Sequence, residues 1–276
     1  MNERLHFDAV NDAARPACIG VFDSGVGGLS ILRALHQRLP EASMLYVGDV
    51  SHAPYGERPV NEVVDRSMRI VEWLAGRGAR MIVVACNTAT VLAIDALRAR
   101  RPTLDFVGVE PGVKPAAARS TTRRIAVMAT PATATSERLR HLIARHAEGA
   151  YVHVQPCPGL AGLIERGAIH GPALRGVLQP CCDEIVAANV DTVVLGCTHY
   201  PFVEDAIRAL LGAEIALIDT AAAIAERAAS LWEPAPPLFA TNPTVRVMST
   251  GASGTMLQLL QQCPGLERTA VEPLAL

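Results

Sequence analysis

The chain has 276 residues and a formal net charge of −2, and half of it is apolar though only 4% is aromatic. That length supports one large domain or two ordinary ones, with a core built from Ala, Val, Leu and Ile. No basic block points to nucleic acid or an anionic membrane as the main partner, and no run of about 18 apolar residues marks a membrane span.

Residues 1–17 mix Glu3, Arg4, Asp8, Asp12 and Arg15 with little apolar continuity. They read as a loose N-terminal extension and not as a signal peptide. Short β-branched runs then alternate with helical patterns. A strand is expected at 18–22, a helix at 29–39, a strand at 44–47 and a helix at 60–75. Strand 81–85, helix 90–100 and strand 106–109 follow. The second half repeats the alternation with strand 125–128, helix 136–146, strand 151–154, helix 173–188 and strand 192–195. Helix 202–211, strand 214–218, helix 221–231 and strand 245–248 complete it. Continuous apolar strands between amphipathic helices indicate an α/β fold with largely parallel sheets flanked by helices. Residues 112–120, rich in Pro, Ala and Gly, read as the linker between two domains, 18–115 and 116–219. A Pro-rich break at 234–237 suggests that 220–276 returns to complete the first domain.

Seven cysteines show no CxxC and no regular framework, as expected of free thiols in a reducing cytoplasm. The adjacent Cys181 and Cys182 read as packing. Two others occupy matching settings, Val83-Val84-Ala85-Cys86-Asn87-Thr88 and Val194-Leu195-Gly196-Cys197-Thr198-His199. Each thiol follows a buried strand and precedes a helical segment, one in each half of the chain. In open α/β sheets ligands bind beyond the carboxyl ends of the strands, where Asp23, Ser24 and Asp49 also fall. The pair therefore suggests two acid/base groups facing across a shared cleft. A helix N-terminus favours a thiolate and is expected to lower each thiol pKa from about 8.5. His199, two residues past Cys197, is placed to exchange its proton, although a structural histidine is the plainer alternative. A zinc site is disfavoured because no second close Cys/His pair accompanies it.

Two further segments carry chemistry. Asp23-Ser24-Gly25-Val26-Gly27-Gly28 is a glycine-rich turn whose amides suit a phosphate or carboxylate, or simply a tight βα turn. An acid just before it would repel phosphate but fits beside a thiol or an ammonium group. Pro54-Tyr55-Gly56 is either a surface turn or a loop closing over a small ligand.

Taken together, Asp23-Ser24-Gly25-Val26-Gly27-Gly28, Pro54-Tyr55-Gly56, Cys86-Asn87-Thr88 and Gly196-Cys197-Thr198-His199-Tyr200-Pro201 resemble the glutamate racemases of the aspartate/glutamate racemase family. Order and spacing fit from about residue 18 to 220. The resemblance implies two pseudo-symmetric α/β domains with the active site in the cleft between them. It further implies a cytoplasmic enzyme, without cofactor or metal, that interconverts L- and D-glutamate and supplies D-glutamate for peptidoglycan. By position, Cys86 would take the α-proton from D-glutamate and Cys197 from L-glutamate, assisted by Asp23 and His199 respectively. Asp23, Ser24, Tyr55, Gly56, Asn87, Thr88, Thr198 and His199 match substrate-binding positions. Glu165, in Leu163-Ile164-Glu165-Arg166-Gly167, matches an acid supporting the histidine, and Thr130 and Thr133 fall near further ligand positions. A homodimer is also implied. The segment Val50-Ser51-His52-Ala53 departs from the commoner pattern, and His52 reads as incidental. The alternatives are a two-thiol aspartate or hydantoin racemase, or a non-enzymatic thiol sensor or ligand-binding module.

Overall fold

Among the described residues, ten parallel strands form two separate sheets. A computed structural model of the chain describes residues 17–233 and 243–276. The expected extension up to residue 16 and the break at 234–237 lie outside the described residues. In the first half of the chain the strands are β1 (Cys18–Asp23), β2 (Met44–Gly48), β3 (Ala79–Val84) and β4 (Asp105–Gly108). The second half supplies β5 (Arg124–Ala129), β6 (Tyr151–Pro156), β7 (Thr192–Leu195) and β8 (Ala216–Ile218), and then β9 (Val245–Ser249) and β10 (Val271–Pro273). The larger sheet has the order β10-β9-β2-β1-β3-β4 and the smaller β6-β5-β7-β8. Every neighbouring pair is parallel. Within each half the first strand is central, flanked by the second and third, so β1–β4 and β5–β8 share one arrangement.

Helices cover the sheets, which is why the central strands read as unbroken apolar runs. They are α1 (Leu29–Arg38), α2 (Val60–Ala75), α3 (Asn87–Arg100), α4 (Val113–Arg119), α5 (Pro131–Ala134) and α6 (Glu137–His146). The remainder are α7 (Leu160–Glu165), α8 (Pro172–Ala187), α9 (Glu204–Leu211), α10 (Ala221–Leu231) and α11 (Gly254–Leu260). The stripe Val63, Ile70, Val71 and Leu74 shows the logic of α2. It recurs at helical spacing and is buried under the larger sheet beside Phe22, Ile82 and Val84. Among the described residues no helix is long and apolar enough to cross a membrane.

The segment 112–120, between β4 of the larger sheet and β5 of the smaller, is largely helical. Residues 113–119 form α4, whose Val113 and Ala116 pack with Ile125, Val127 and Val194 of the smaller sheet. Alanine is the best helix former, and Pro115 sits in the first turn, where no intrahelical amide bond is lost. The expected helix at 90–100 starts at Asn87, and that at 202–211 is preceded by a 3-10 turn, Tyr200–Val203. The short elements α5, α7, α11 and β10 were not expected from periodicity.

Register aligns the chemistry-bearing positions. Phe22 pairs with Val84, and the amide of Ala85 donates to the Phe22 carbonyl at 2.7 Å. Asp23 and Cys86 thus emerge side by side. In the smaller sheet Met128 pairs with Leu195, and the amide of Gly196 donates to the Met128 carbonyl at 2.8 Å. That brings Thr130 beside Cys197. The contact requires glycine, because a Cβ at residue 196 would lie 2.6 Å from the Met128 oxygen, a backbone atom in β5. Gly196→Ala is therefore expected to lower unfolding free energy by about 1–3 kcal/mol, read from the urea midpoint at unchanged slope.

Candidate active site

Three amides of the glycine-rich turn after β1 are taken by carboxylates of the chain itself. Asp23 Oδ2 accepts from the amides of Gly25 (3.1 Å) and Gly28 (3.0 Å), and Glu165 Oε1 accepts from the amide of Val26 at 2.9 Å. The amides of Gly25, Val26 and Gly28 are thus engaged within the chain. Asp23 is wholly buried and its Oδ1 has no partner among the described residues. Burial raises its pKa, with Glu165 adding to the effect and His199 and the two amides opposing it.

Cys86 follows β3 and caps α3. Its sulfur accepts from the amide of Ala89 at 3.4 Å and donates to Ser24 Oγ at 3.8 Å. The helix end does not make this group a ready thiolate, contrary to the expectation from sequence. Burial pushes the thiol well above its ordinary range, the negative charge of Asp23 pushes it further, and the Ala89 amide recovers only part. Beyond it, Asn87 Nδ2 donates to the Val109 carbonyl at 3.4 Å, and the hydroxyls of Thr88 and Thr130 lie 3.1 Å apart. Thr130 in turn caps α5 and donates to the Thr133 hydroxyl at 3.2 Å.

The second thiol has different company. Cys197 Sγ lies 3.5 Å from His199 Nδ1, and His199 Nε2 lies 2.5 Å from Glu165 Oε1 at the end of α7. Burial resists a charge on His199, but negative charge on Cys197 and Glu165 outweighs it and raises the pKa well above 6.5. A thiol, an imidazole and a carboxylate in series make a proton relay, whereas Cys86 has the Ser24 hydroxyl, the Ala89 amide and the charge of Asp23 but no imidazole. Close approach of the two halves depends on missing side chains. A Cβ at residue 25 would collide with the Glu165 carboxylate, and one at residue 27 would lie 2.3 Å from His199 Nδ1.

Both sulfurs open on one cavity of about 10 Å³, room for roughly a single water. Ser24, Tyr55, Gly56, Asn87, Thr88, Thr130, Thr198 and His199 share its wall with the thiols. Asp23, Glu165 and Thr133 stand behind that wall, not on it. Ala161 of α7 also lines the cavity. Nothing in a small apolar residue outside every motif could have signalled it. Among the described residues, Asp23, Glu165 and His199 form the one group with three ligand-type atoms within 4.8 Å of one another. Both imidazole nitrogens are already engaged by Cys197 and Glu165, so the group fits a hydrogen-bond relay better than a metal.

Comparison with known proteins agrees with this geometry. The profile of the Asp/Glu/Hydantoin racemase family matches residues 28–228. The chain belongs to that family. It is 48% identical to a glutamate racemase of Pseudomonas paraeruginosa over 215 residues, covering 78% of this chain and 81% of that one. A Ralstonia pickettii glutamate racemase is 49% identical over 213 residues, 76% of this chain and 74% of its own. In structure the chain is similar to Escherichia coli glutamate racemase in complex with L-glutamate and the activator UDP-MurNAc-Ala, with a TM-score of 0.82 and 31% identity over 94% and 99% of the two chains. It is likewise similar to the Francisella tularensis enzyme in complex with D-glutamate, with a TM-score of 0.80 and 25% identity over 96% and 98% of the chains.

For this racemase-family site the relay yields a direct test. With a folded pKa above its unfolded value of about 6.5, His199 contributes stability that is complete below about pH 6.5 and lost as pH rises through the folded value. Glu165→Gln removes one of the charges that raises it. The variant is expected to lower the His199 pKa in a ¹⁵N imidazole titration and to begin losing that stability at lower pH. An unmoved titration would remove Glu165 from the relay.

Proposed function

We propose that the protein interconverts L- and D-glutamate by acid/base exchange between two thiols, with no cofactor as electron sink. One observation carries this reading: two thiols, one from the end of β3 and one from the end of β7, line a single small cavity. Racemisation takes a proton from one face of Cα and returns one to the other. Two groups achieve this without turning the substrate, and each turnover exchanges their protonation states. In the L-to-D direction Cys197 is the base, with His199 and Glu165 able to pass its proton on. Cys86, held protonated by burial and by Asp23, is the acid that reprotonates the opposite face. In the D-to-L direction the roles reverse.

The Cα–H beside a carboxylate is weakly acidic, so the barrier falls chiefly through donors aimed at the carbanion-like transition state. Ser24, Asn87, Thr88 and Thr198 supply them from the wall. A cavity this small cannot hold glutamate, so the halves, residues 18–115 with 220–276 and residues 116–219, must part for entry and close to exclude water. Glutamate is preferred over aspartate or a hydantoin because the relatives of 48–49% identity bear the name glutamate racemase. We further propose that the product serves peptidoglycan synthesis and that the protein works in the cytoplasm as a homodimer. The seven cysteines are free, as a reducing compartment requires.

Proton NMR of the protein with L-glutamate in deuterated water is expected to show loss of the Cα–H signal with growth of D-glutamate, and no such change with aspartate or hydantoins. Cys86→Ser and Cys197→Ser should each slow racemisation by about a thousand-fold while circular dichroism stays native. Full turnover in either variant would remove the two-thiol mechanism, and ligand binding without exchange would favour the sensor.

A further inference from the structure

Asp49, at the carboxyl end of β2, takes no part in the chemistry described above, yet it is the most heavily hydrogen-bonded buried carboxylate next to the site. It is fully buried and does not line the cavity. Arg66 of α2 grips it with two donors, Nε to Oδ2 at 3.0 Å and Nη2 to Oδ1 at 2.9 Å. The Thr250 hydroxyl, just after β9, donates to Oδ1 at 2.8 Å, and His52 Nδ1 lies 3.2 Å from the same oxygen. His52 is thus part of a network and not incidental. The remaining partner is Tyr55, whose hydroxyl donates to Oδ2 at 2.7 Å. Tyr55 and Gly56 do line the cavity.

A buried ion pair is weak evidence for stability, since an apolar replacement of similar shape holds a core as well. It does fix geometry, through charge-assisted bonds of defined direction. The hydroxyl proton of Tyr55 is committed to Asp49, so the residue meets a ligand with its ring and backbone. The carboxylate is immobile because three elements hold it: α2 through Arg66, the segment after β9 through Thr250, and β1 through the Asp49 amide, which donates to the Asp23 carbonyl at 3.0 Å. The loop 54–56 is therefore tied to the end of the larger sheet through one phenol–carboxylate bond.

We propose that Asp49, clamped by Arg66 and Thr250, is a positioning residue that holds Tyr55 and Gly56 against the cavity and so sets substrate affinity without touching substrate. The proposal rests on the reading of the protein as a glutamate racemase. Its test is a double-mutant cycle on the full chain with L-glutamate. Asp49→Asn keeps the shape and removes the charge, and it is expected to raise KM about ten-fold with kcat within about two-fold. Tyr55→Phe removes only the hydroxyl and should raise KM by a similar factor. The double variant should be no worse than the worse single one, because Asp49→Asn weakens, and Tyr55→Phe removes, the same hydrogen bond. A second readout is independent of turnover. In protein labelled at tyrosine ¹³Cζ, with four tyrosines in all, the resonance lost in Tyr55→Phe should shift in Asp49→Asn. Unchanged KM in Asp49→Asn, multiplying effects in the double variant, or an unmoved resonance would each overturn the proposal. Should Asp49→Asn not fold, Tyr55→Phe decides alone: a raised KM supports the tie and an unchanged one refutes it. Wild type that turns over no glutamate would defeat the functional reading, and the tyrosine resonance would then judge the tie.

Discussion

Glu165 is the point on which the site depends. One of its oxygens accepts from the Val26 amide in the turn after β1 and also meets His199 beside the second thiol. A single buried carboxylate oxygen thereby joins the turn that follows the larger sheet to the thiol of the smaller one. Burying such a charge is costly unless it is paired and hydrogen-bonded, and here the partners come from opposite halves. The Val26 amide is the donor that the larger-sheet half brings to a relay otherwise contained in the smaller-sheet half. Glycine at positions 25 and 27 is the steric condition for this approach, since any side chain would occupy the space of Glu165 or His199.

The shared strand arrangement explains why two thiols arise without a sequence repeat. In each half the first strand lies between the second and third, and residues just past the first and third strands converge at the sheet's carboxyl edge. In the larger sheet those are Ser24 and Cys86, and in the smaller Thr130 and Cys197. Backbone register alone delivers a hydroxyl and a thiol to the same edge twice. The surroundings then diverge: a lone acid behind Cys86, a histidine and an acid behind Cys197. The backbone architecture is pseudo-symmetric and the electrostatics are not. That inequality suits a pair in which one thiol is held protonated by burial and the other has an imidazole beside it to exchange a proton with.

What could be read from sequence follows the range of the forces involved. Strands such as 192–195 were legible because burial on both faces leaves a continuous apolar run, and α2 because its buried stripe keeps a helical period. Both cysteines were legible because each motif lies within a few residues of chain. Where a property depends on distant neighbours, local reading failed. The α3 end was expected to favour a thiolate at Cys86, but the desolvation that defeats it comes from the packed surroundings. The turn after β1 could be read as an anion site or as a plain tight turn, and the pattern could not show that Asp23 and Glu165, the latter 139 residues from Val26, take three of its amides. Residues 113–119 looked like a linker by composition, and only packing against the smaller sheet reveals a helix. Edge strand β10, three residues ending in Pro273, carries too little pattern to be found.

The arrangement of charge around the cavity closes the argument. Its wall carries hydroxyls, an amide, two thiols and one imidazole, and no lysine or arginine. Three carboxylates, Asp23, Glu165 and Asp49, lie one layer back. Each is turned toward donors of its own: backbone amides for Asp23, an amide and His199 for Glu165, Arg66 and two hydroxyls for Asp49. An amino acid with two carboxylates meets neutral donors first, while the carboxylates behind each hold at least one donor of their own. An arginine clamp would hold the substrate tightly but would favour its ground state as much as its carbanion. Neutral donors at fixed positions leave more of the stabilisation for charge that develops at Cα. The acids behind the wall then act through the thiols and the imidazole, by shifting where the protons rest.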